Sequence, residues 1–258
     1  MRRGHGTQAM DDDTLLLARD GAVATLRLLR PVADAALDRT SAAALVRQLD
    51  ELEADDALRV LVLRYDGDAE TGAAAAGADD ASATAGAVER LGRFTRPVVA
   101  AIDGGALGVA LELALACDLR VGTHGASYGL PRIRVGAMPY AGATQRLPRL
   151  VGQGRAFDMV LSGDAVGTAE ARRIGLLQRV VDPAQLDASV HLLATAMAQA
   201  APASMRLTKE ALHQGLEMTL DQGLRMELDL YLLLFSTADR VEGITAFRDK
   251  RRPRFSGA

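Results

Sequence analysis

Glu112 is the only polar residue in VALELALAC (109–117), a run at helical length that is apolar on every side. A helix apolar all round is a buried one. A carboxylate taken out of water without a partner costs several kcal/mol, so it raises its pKa or finds hydrogen bonds. That tuning suits a general acid or base working near neutral pH. A structural glutamate bonded to neighbouring backbone is the other reading, and the residues alone leave both open. Nearby, LPRIRVGAMPYAGATQRLPRL (130–150) reads as a tight loop leading into a helix, and Arg132 and Tyr140 stand in it. They are either surface residues or the polar lining of a pocket.

Backbone donors form the second kind of candidate. A glycine-rich turn feeding a helix N-terminus presents free N–H groups and the positive end of the dipole, a natural anion or oxyanion site. GGALGV (104–109) supplies one such turn and GAD (77–79) a second. A dinucleotide fingerprint at the first fails on detail: it needs glycine where Asp103 stands, and Asp118 comes too early for the ribose acid. His5, His124, His191 and His213 lack ligand spacing, so no metal site is expected. The single cysteine, Cys117, lies in the apolar run and reads as a buried thiol in a reducing cytosol.

These groups need a frame, and the chain is long enough to build one. Its 258 residues bury a sizeable aliphatic core, with aromatics at 3% and no Trp. So few aromatics argue against a stacking platform for nucleic acid, and a net charge of −3 attracts neither nucleic acid nor anionic membrane. No apolar run of transmembrane length and no signal peptide is found, and a cytoplasmic protein is expected. Residues 1–13 read as a flexible leader. Strand-like runs at 22–29, 58–65, 97–103 and 118–122 alternate with helical spacing at 40–54 and 109–117, which predicts parallel strands with crossover helices. GDAETGAAAAGADDASATAGA (67–87) reads as a low-complexity loop, and GGALG as a turn. From residue 142 helices prevail, at 143–151, 153–161, 168–175, 183–200, 203–217, 220–235 and 240–248, with a short strand at 177–181. Asp239 and Glu242 have capping-box spacing for the last helix. The basic end, Lys250, Arg251, Arg252 and Arg254, is either a solvated tail or a phosphate-binding edge.

Four segments, in this order, resemble the crotonase superfamily, the enoyl-CoA hydratase/isomerase family. They are RPVVAAIDGGALGVALELALACDLRVG, VGAMPYAGATQRLPRLVG, LSGDAVGTAEARRIGLLQRVV and DRVEGITAFRDKRRPRF. The resemblance runs from about residue 14 to 256. It implies an α/β fold: a ββα-spiral acyl-CoA-binding core over 14–200 and a C-terminal helical trimerisation region over 201–258. It also implies a homotrimer or dimer of trimers, and coenzyme A present as part of the substrate rather than as a resident cofactor. By the same resemblance, the amides of Ala78 and Val109 polarise a thioester carbonyl, Glu112 falls on the first catalytic glutamate, and Ala76, Phe247 and Lys250 fall on coenzyme A contacts.

Three positions depart from the family pattern. Val109 replaces a common glycine, keeping the N–H but crowding the turn. Arg132, in LPRI, stands where hydratases and isomerases keep their second acid, and Tyr140 replaces a glycine of PGAGG. Hydration ordinarily uses two carboxylates, and arginine, always protonated, cannot be a base. Three functions are therefore in competition: a hydratase or isomerase with an altered site, a decarboxylase of malonyl-type thioesters in which Arg132 and Tyr140 hold the substrate carboxylate, and a non-catalytic acyl-CoA-binding paralogue.

Overall fold

The apolar residues of the strands alternate between two faces, and each face has its own cover. A computed structural model describes residues 7–9, 14–29, 37–66 and 77–257. β1 (Thr7–Ala9), β2 (Leu15–Asp20) and β3 (Val23–Leu28) form an antiparallel edge, and helix α1 (Arg39–Glu53) leads to β4 (Val60–Asp66). Helix α2 (Ala78–Gly92) follows, then β5 (Val98–Asp103), the short β6 (Gly105–Leu107), helix α3 (Val109–Ala116), β7 (Leu119–Thr123) and β8 (Ser127–Gly129). Helices α4 (Ala143–Val151) and α5 (Gln153–Ser162), strand β9 (Val166–Gly167), helix α6 (Thr168–Arg173) and strand β10 (Arg179–Val181) close the core. Helices α7 (Leu186–Ala198), α8 (Pro202–Gly215), α9 (Leu220–Leu233) and α10 (Ala238–Arg248) complete the chain.

The large sheet runs β1-β2-β3-β4-β5-β7-β10, parallel from β3 onward. A small sheet, β6-β8-β9, stands beside it, and the chain steps from β5 to β6 before α3 and from β7 to β8 before α4. That is the expected ββα spiral. Leu61, Leu63 and Tyr65 of β4 face the core shared with α1, α2 and α3, while Val60 and Val62 face Leu186, Val190 and Ala194 of α7. Burial on both faces is why 58–65 reads as a continuous apolar run.

Several local expectations are corrected. Residues 78–87 are helix, not loop: Thr84, Ala87, Val88 and Leu91 are buried at helical spacing, and Asp79 and Asp80 in the first turn favour the positive end of the dipole. GGALG contains strand β6, which pairs with β8. Thr7–Ala9, inside the expected leader, pairs with β2. The last helix is capped by Thr237, whose side chain accepts from the Arg240 amide at 3.3 Å. Asp239 is instead buried and accepts from the amides of Ser256 and Gly257, and Glu242 pairs with Arg251. These contacts fold residues 251–257 back on the body.

The C-terminal region is tied to the core by a small ionic cluster. Lys209 of α8 donates to Asp118 at 2.7 Å and to the Arg96 carbonyl at 2.9 Å, and His213 lies 3.0 Å from the other Asp118 oxygen. Burial pushes the Asp118 pKa up, but His213, Lys209 and the Val98 amide overcome it and hold the carboxyl below its usual range. Leu220, Leu224, Leu228, Leu232 and Leu233 of α9, by contrast, face solvent, Leu220 being 79% exposed.

Candidate active site

Helix α3 is positioned at both ends and along its side. Gly108 opens it at φ 56° and ψ −124°, a conformation suited to glycine, and donates to the Gly129 carbonyl at 3.0 Å. At the far end the buried Arg120 donates to the carbonyls of Ala114 and Cys117, the first of which also accepts the Cys117 amide. Tyr65 of β4 donates its hydroxyl to the Ala110 carbonyl at 3.0 Å. Cys117 is buried, its thiol pushed up to about 12, mainly by burial. It is a packing residue.

Held this way, α3 buries Glu112 completely. Oε1 accepts two backbone amides, Tyr140 at 3.0 Å and Ala141 at 2.8 Å. Oε2 is buried with no hydrogen bond among the described residues. Burial raises the Glu112 pKa; the Ala141 amide, the charge of Arg132 and the amides of Tyr140 and Ala143 oppose that rise without cancelling it. The result is a carboxyl with one oxygen fixed, one oxygen uncommitted and an elevated proton affinity, the combination a proton-transfer group needs. Oε1 thus bonds to neighbouring backbone, as the structural reading of Glu112 has it, and that bonding leaves the acid/base reading open at Oε2.

Arg132 and Tyr140 join the same cluster. Arg132 lies in a 3-10 turn, Pro131–Val135, and is only 1% exposed. Its guanidinium carbon sits 4.3 Å from the centre of the Tyr140 ring, a cation–π stack, and its Nη2 makes a long 3.5 Å contact to the phenol oxygen. Tyr140 is half-buried. Burial raises its pKa, against the pull of Arg132 and of a hydrogen bond to Thr84 of α2. Thr84 was not singled out in the sequence; its signal is the 84/87/88/91 spacing within a stretch that looked like linker.

Ala78 and Val109 are the first residues of α2 and α3, helices that pack on each other. Within α2 the first intrahelical donor is Ala81, and within α3 it is Glu112, so both candidate amides belong to the free N-terminal set. Val109 is buried within the helix, where a β-branched residue fits, and its side chain leaves the amide in place. Phe247, 84% exposed, lies in the last turn of α10, and Lys250, at φ 53°, follows the helix. Ala76 lies outside the described residues.

With fold and site in view, the chain can be placed. Residues 18–258 match the family model for enoyl-CoA hydratase/isomerase. The chain is 40% identical to the 2,3-dehydroadipyl-CoA hydratase of Escherichia coli strain K12, over 94% of its length and 98% of that protein. It is 33% identical to the crotonyl-CoA hydratase of Syntrophomonas wolfei, over 94% and 98%. The crystal structure of an enoyl-CoA hydratase from Bacillus anthracis superposes with a TM-score of 0.89 at 32% identity, covering 95% of this chain and all of that one. The protein belongs to the enoyl-CoA hydratase/isomerase family of acyl-CoA enzymes and has the crotonase fold. No helix among the described residues is long and apolar enough to cross a membrane.

Proposed function

We propose that this chain generates a thioester enolate from an acyl-CoA, with the amides of Ala78 and Val109 on the thioester oxygen and Glu112 as the single acid/base. The observation that carries this reading is the divided glutamate: Oε1 held by two amides, Oε2 buried and uncommitted. Two preorganised donors stabilise charge growing on the thioester oxygen, and Glu112 moves the proton at Cα. Coenzyme A enters and leaves with the acyl group. The exposed leucine face of α9 is the surface through which copies of the chain associate, as a trimer or a dimer of trimers.

The Arg132–Tyr140 stack favours a particular reaction within that class, decarboxylation of a malonyl-type thioester. A guanidinium and a phenol beside Glu112 match a substrate carboxylate, whereas hydration requires a second acid that Arg132 cannot be. In that step the bond from Cα to the carboxylate breaks, its electron pair enters the enolate, CO2 leaves, and Glu112 protonates Cα. A substrate panel tests both levels. Malonyl-, methylmalonyl- and ethylmalonyl-CoA are assayed for CO2 release, crotonyl-CoA for hydration, and saturated esters for exchange of the α-proton in D2O. CO2 release or α-exchange supports the proposal. Hydration at the rate of an ordinary hydratase contradicts the role given to Arg132, and binding of esters without turnover leaves the paralogue reading.

A further inference from the structure

Glu112 is held by a loop, and one side chain outside the cluster holds that loop. Arg146 of α4 donates from Nη1 to the Ala141 carbonyl at 3.1 Å, and the Ala141 N–H donates to Glu112 Oε1 at 2.8 Å. The guanidinium occupies a slot that two glycines leave open. A Cβ on Gly142, at φ +96°, would stand 2.3 Å from Nη1, and a Cβ on Gly92, the last residue of α2, 2.8 Å from Nη2. The arginine thus spans α2 and the start of α4, with Ala141 between them. Burial lowers its pKa, and Cys117, Glu89 and Glu112 are the groups that pull it back up, which places it within electrostatic reach of the glutamate. The charged or titratable groups facing Glu112 are then Arg132 from the 3-10 turn, Tyr140 from the loop and Arg146 from α4.

We propose that Arg146 is the positioning residue of this site: by pinning the Ala141 carbonyl it keeps the Tyr140 and Ala141 amides on Glu112 Oε1 and leaves Oε2 aimed at the substrate. The inference rests on Glu112 being the acid/base, and its test separates the two. In Arg146→Met, amide exchange at Tyr140 and Ala141 accelerates by about tenfold or more, while the β4 amides keep wild-type rates. The Glu112 carboxyl, followed by 13C-glutamate NMR and assigned with Glu112→Gln, titrates at a higher pH than in wild type. Turnover falls about 10- to 100-fold with KM changed less than about threefold, the signature of a misplaced group rather than a lost binding contact. Arg146→Lys, which keeps one donor, recovers part of the loss.

Gly92→Ala gives the same shifts in a variant whose only steric demand is on the guanidinium, and it decides the matter if Arg146→Met does not fold. Wild-type exchange rates and an unmoved Glu112 titration in the folded variants overturn the clamp. Wild-type turnover in Glu112→Gln overturns the underlying role of Glu112 instead, with the exchange rates still reporting on the loop.

Discussion

Replacing Glu112 with glutamine removes a proton carrier while changing almost nothing else in shape. The glutamine oxygen can accept both amides now bonded to Oε1, so the loop at 140–141 keeps its anchor. The new NH2 group falls where Oε2 is buried without a hydrogen bond. An unsatisfied buried donor costs about 1–3 kcal/mol, offset by relief of a desolvated carboxylate. At roughly 2–4 °C per kcal/mol for a chain of this size, Tm moves by less than about 10 °C. Turnover suffers far more. Positioned proton transfer contributes about 10²–10⁴-fold, or roughly 3–5 kcal/mol of barrier. On the proposed site, binding rests on the Ala78 and Val109 amides and the coenzyme A contacts, so Kd for an unreactive acyl-CoA changes less than about threefold. Deuterium incorporation or CO2 release measures the first quantity and calorimetric titration the second. Turnover within about threefold of wild type would refute the catalytic role, as would parallel loss of turnover and binding.

Arg132→Met and Tyr140→Phe each raise KM for malonyl-type thioesters, by about 10- to 100-fold for the arginine, the loss expected of a charged hydrogen bond; affinity for acetyl-CoA stays within about threefold, and equal losses on both would remove the carboxylate handle. The pH profile distinguishes the direction of proton flow. Because burial raises the Glu112 pKa, a base role gives activity that rises with pH through a midpoint above the ordinary carboxylate range, and an acid role gives activity that falls there. Arg132→Met moves either limb upward, since the arginine charge opposes the rise; a limb that stays put would show that the titration belongs to another group. Lys209→Met strips Asp118 of its cation and lowers stability by about 3 kcal/mol, the low end for breaking a buried pair because His213 and the Val98 amide remain. Asp118 has a lowered pKa, so its stabilisation is complete above the unfolded value and lost as acid titrates the folded one; thermal melts of wild type and variant should therefore converge at low pH, and a constant gap would argue against the pair. Leu224→Glu with Leu228→Glu on α9 reduces the particle mass seen by light scattering to that of a single chain, and an unchanged mass would place the interface elsewhere.

The residues that announced themselves in the sequence did so through contrast with their surroundings. Glu112 stood out because nothing else polar shares its helix, and the strands because their apolar runs were long enough to be buried on both faces. Contrast also explains what stayed hidden. Helix α2 begins in a stretch of Ala, Gly and Asp whose buried positions, Thr84 and Ala87, are too small to mark a face, so Thr84 passed as linker. The three-residue strands β6 and β8 are too short for any period to appear, though they make the second sheet. Arginine is ordinarily a surface residue, and only the fold shows Arg132 sealed against Tyr140 and Arg146 lodged between two glycines. The two lysines tell the same story: Lys250 drew notice for its place near the end of the chain, but Lys209 makes the ionic tie between core and C-terminal helices.

On the proposed reading, Arg132 in place of a second acid changes more than the number of bases. A site with two ionised carboxylates repels an anionic substrate group, whereas Glu112 and Arg132 together sum to zero and leave the guanidinium side attractive to one. A substrate carboxylate drawn there adds a negative charge beside Glu112, and like charges in a dry site favour protonation of the group already inclined to it. Burial has already raised the Glu112 pKa, so the incoming carboxylate moves it in the same direction. In the proposed decarboxylation the glutamate then meets the substrate as an acid, holding the proton that Cα needs once CO2 departs. With a neutral acyl-CoA no such push exists, and the role proposed for Glu112 is then to take the α-proton. On this proposal one buried carboxyl serves either direction of proton flow, the charge of the substrate choosing between them, with Arg132 as the residue that admits the charge.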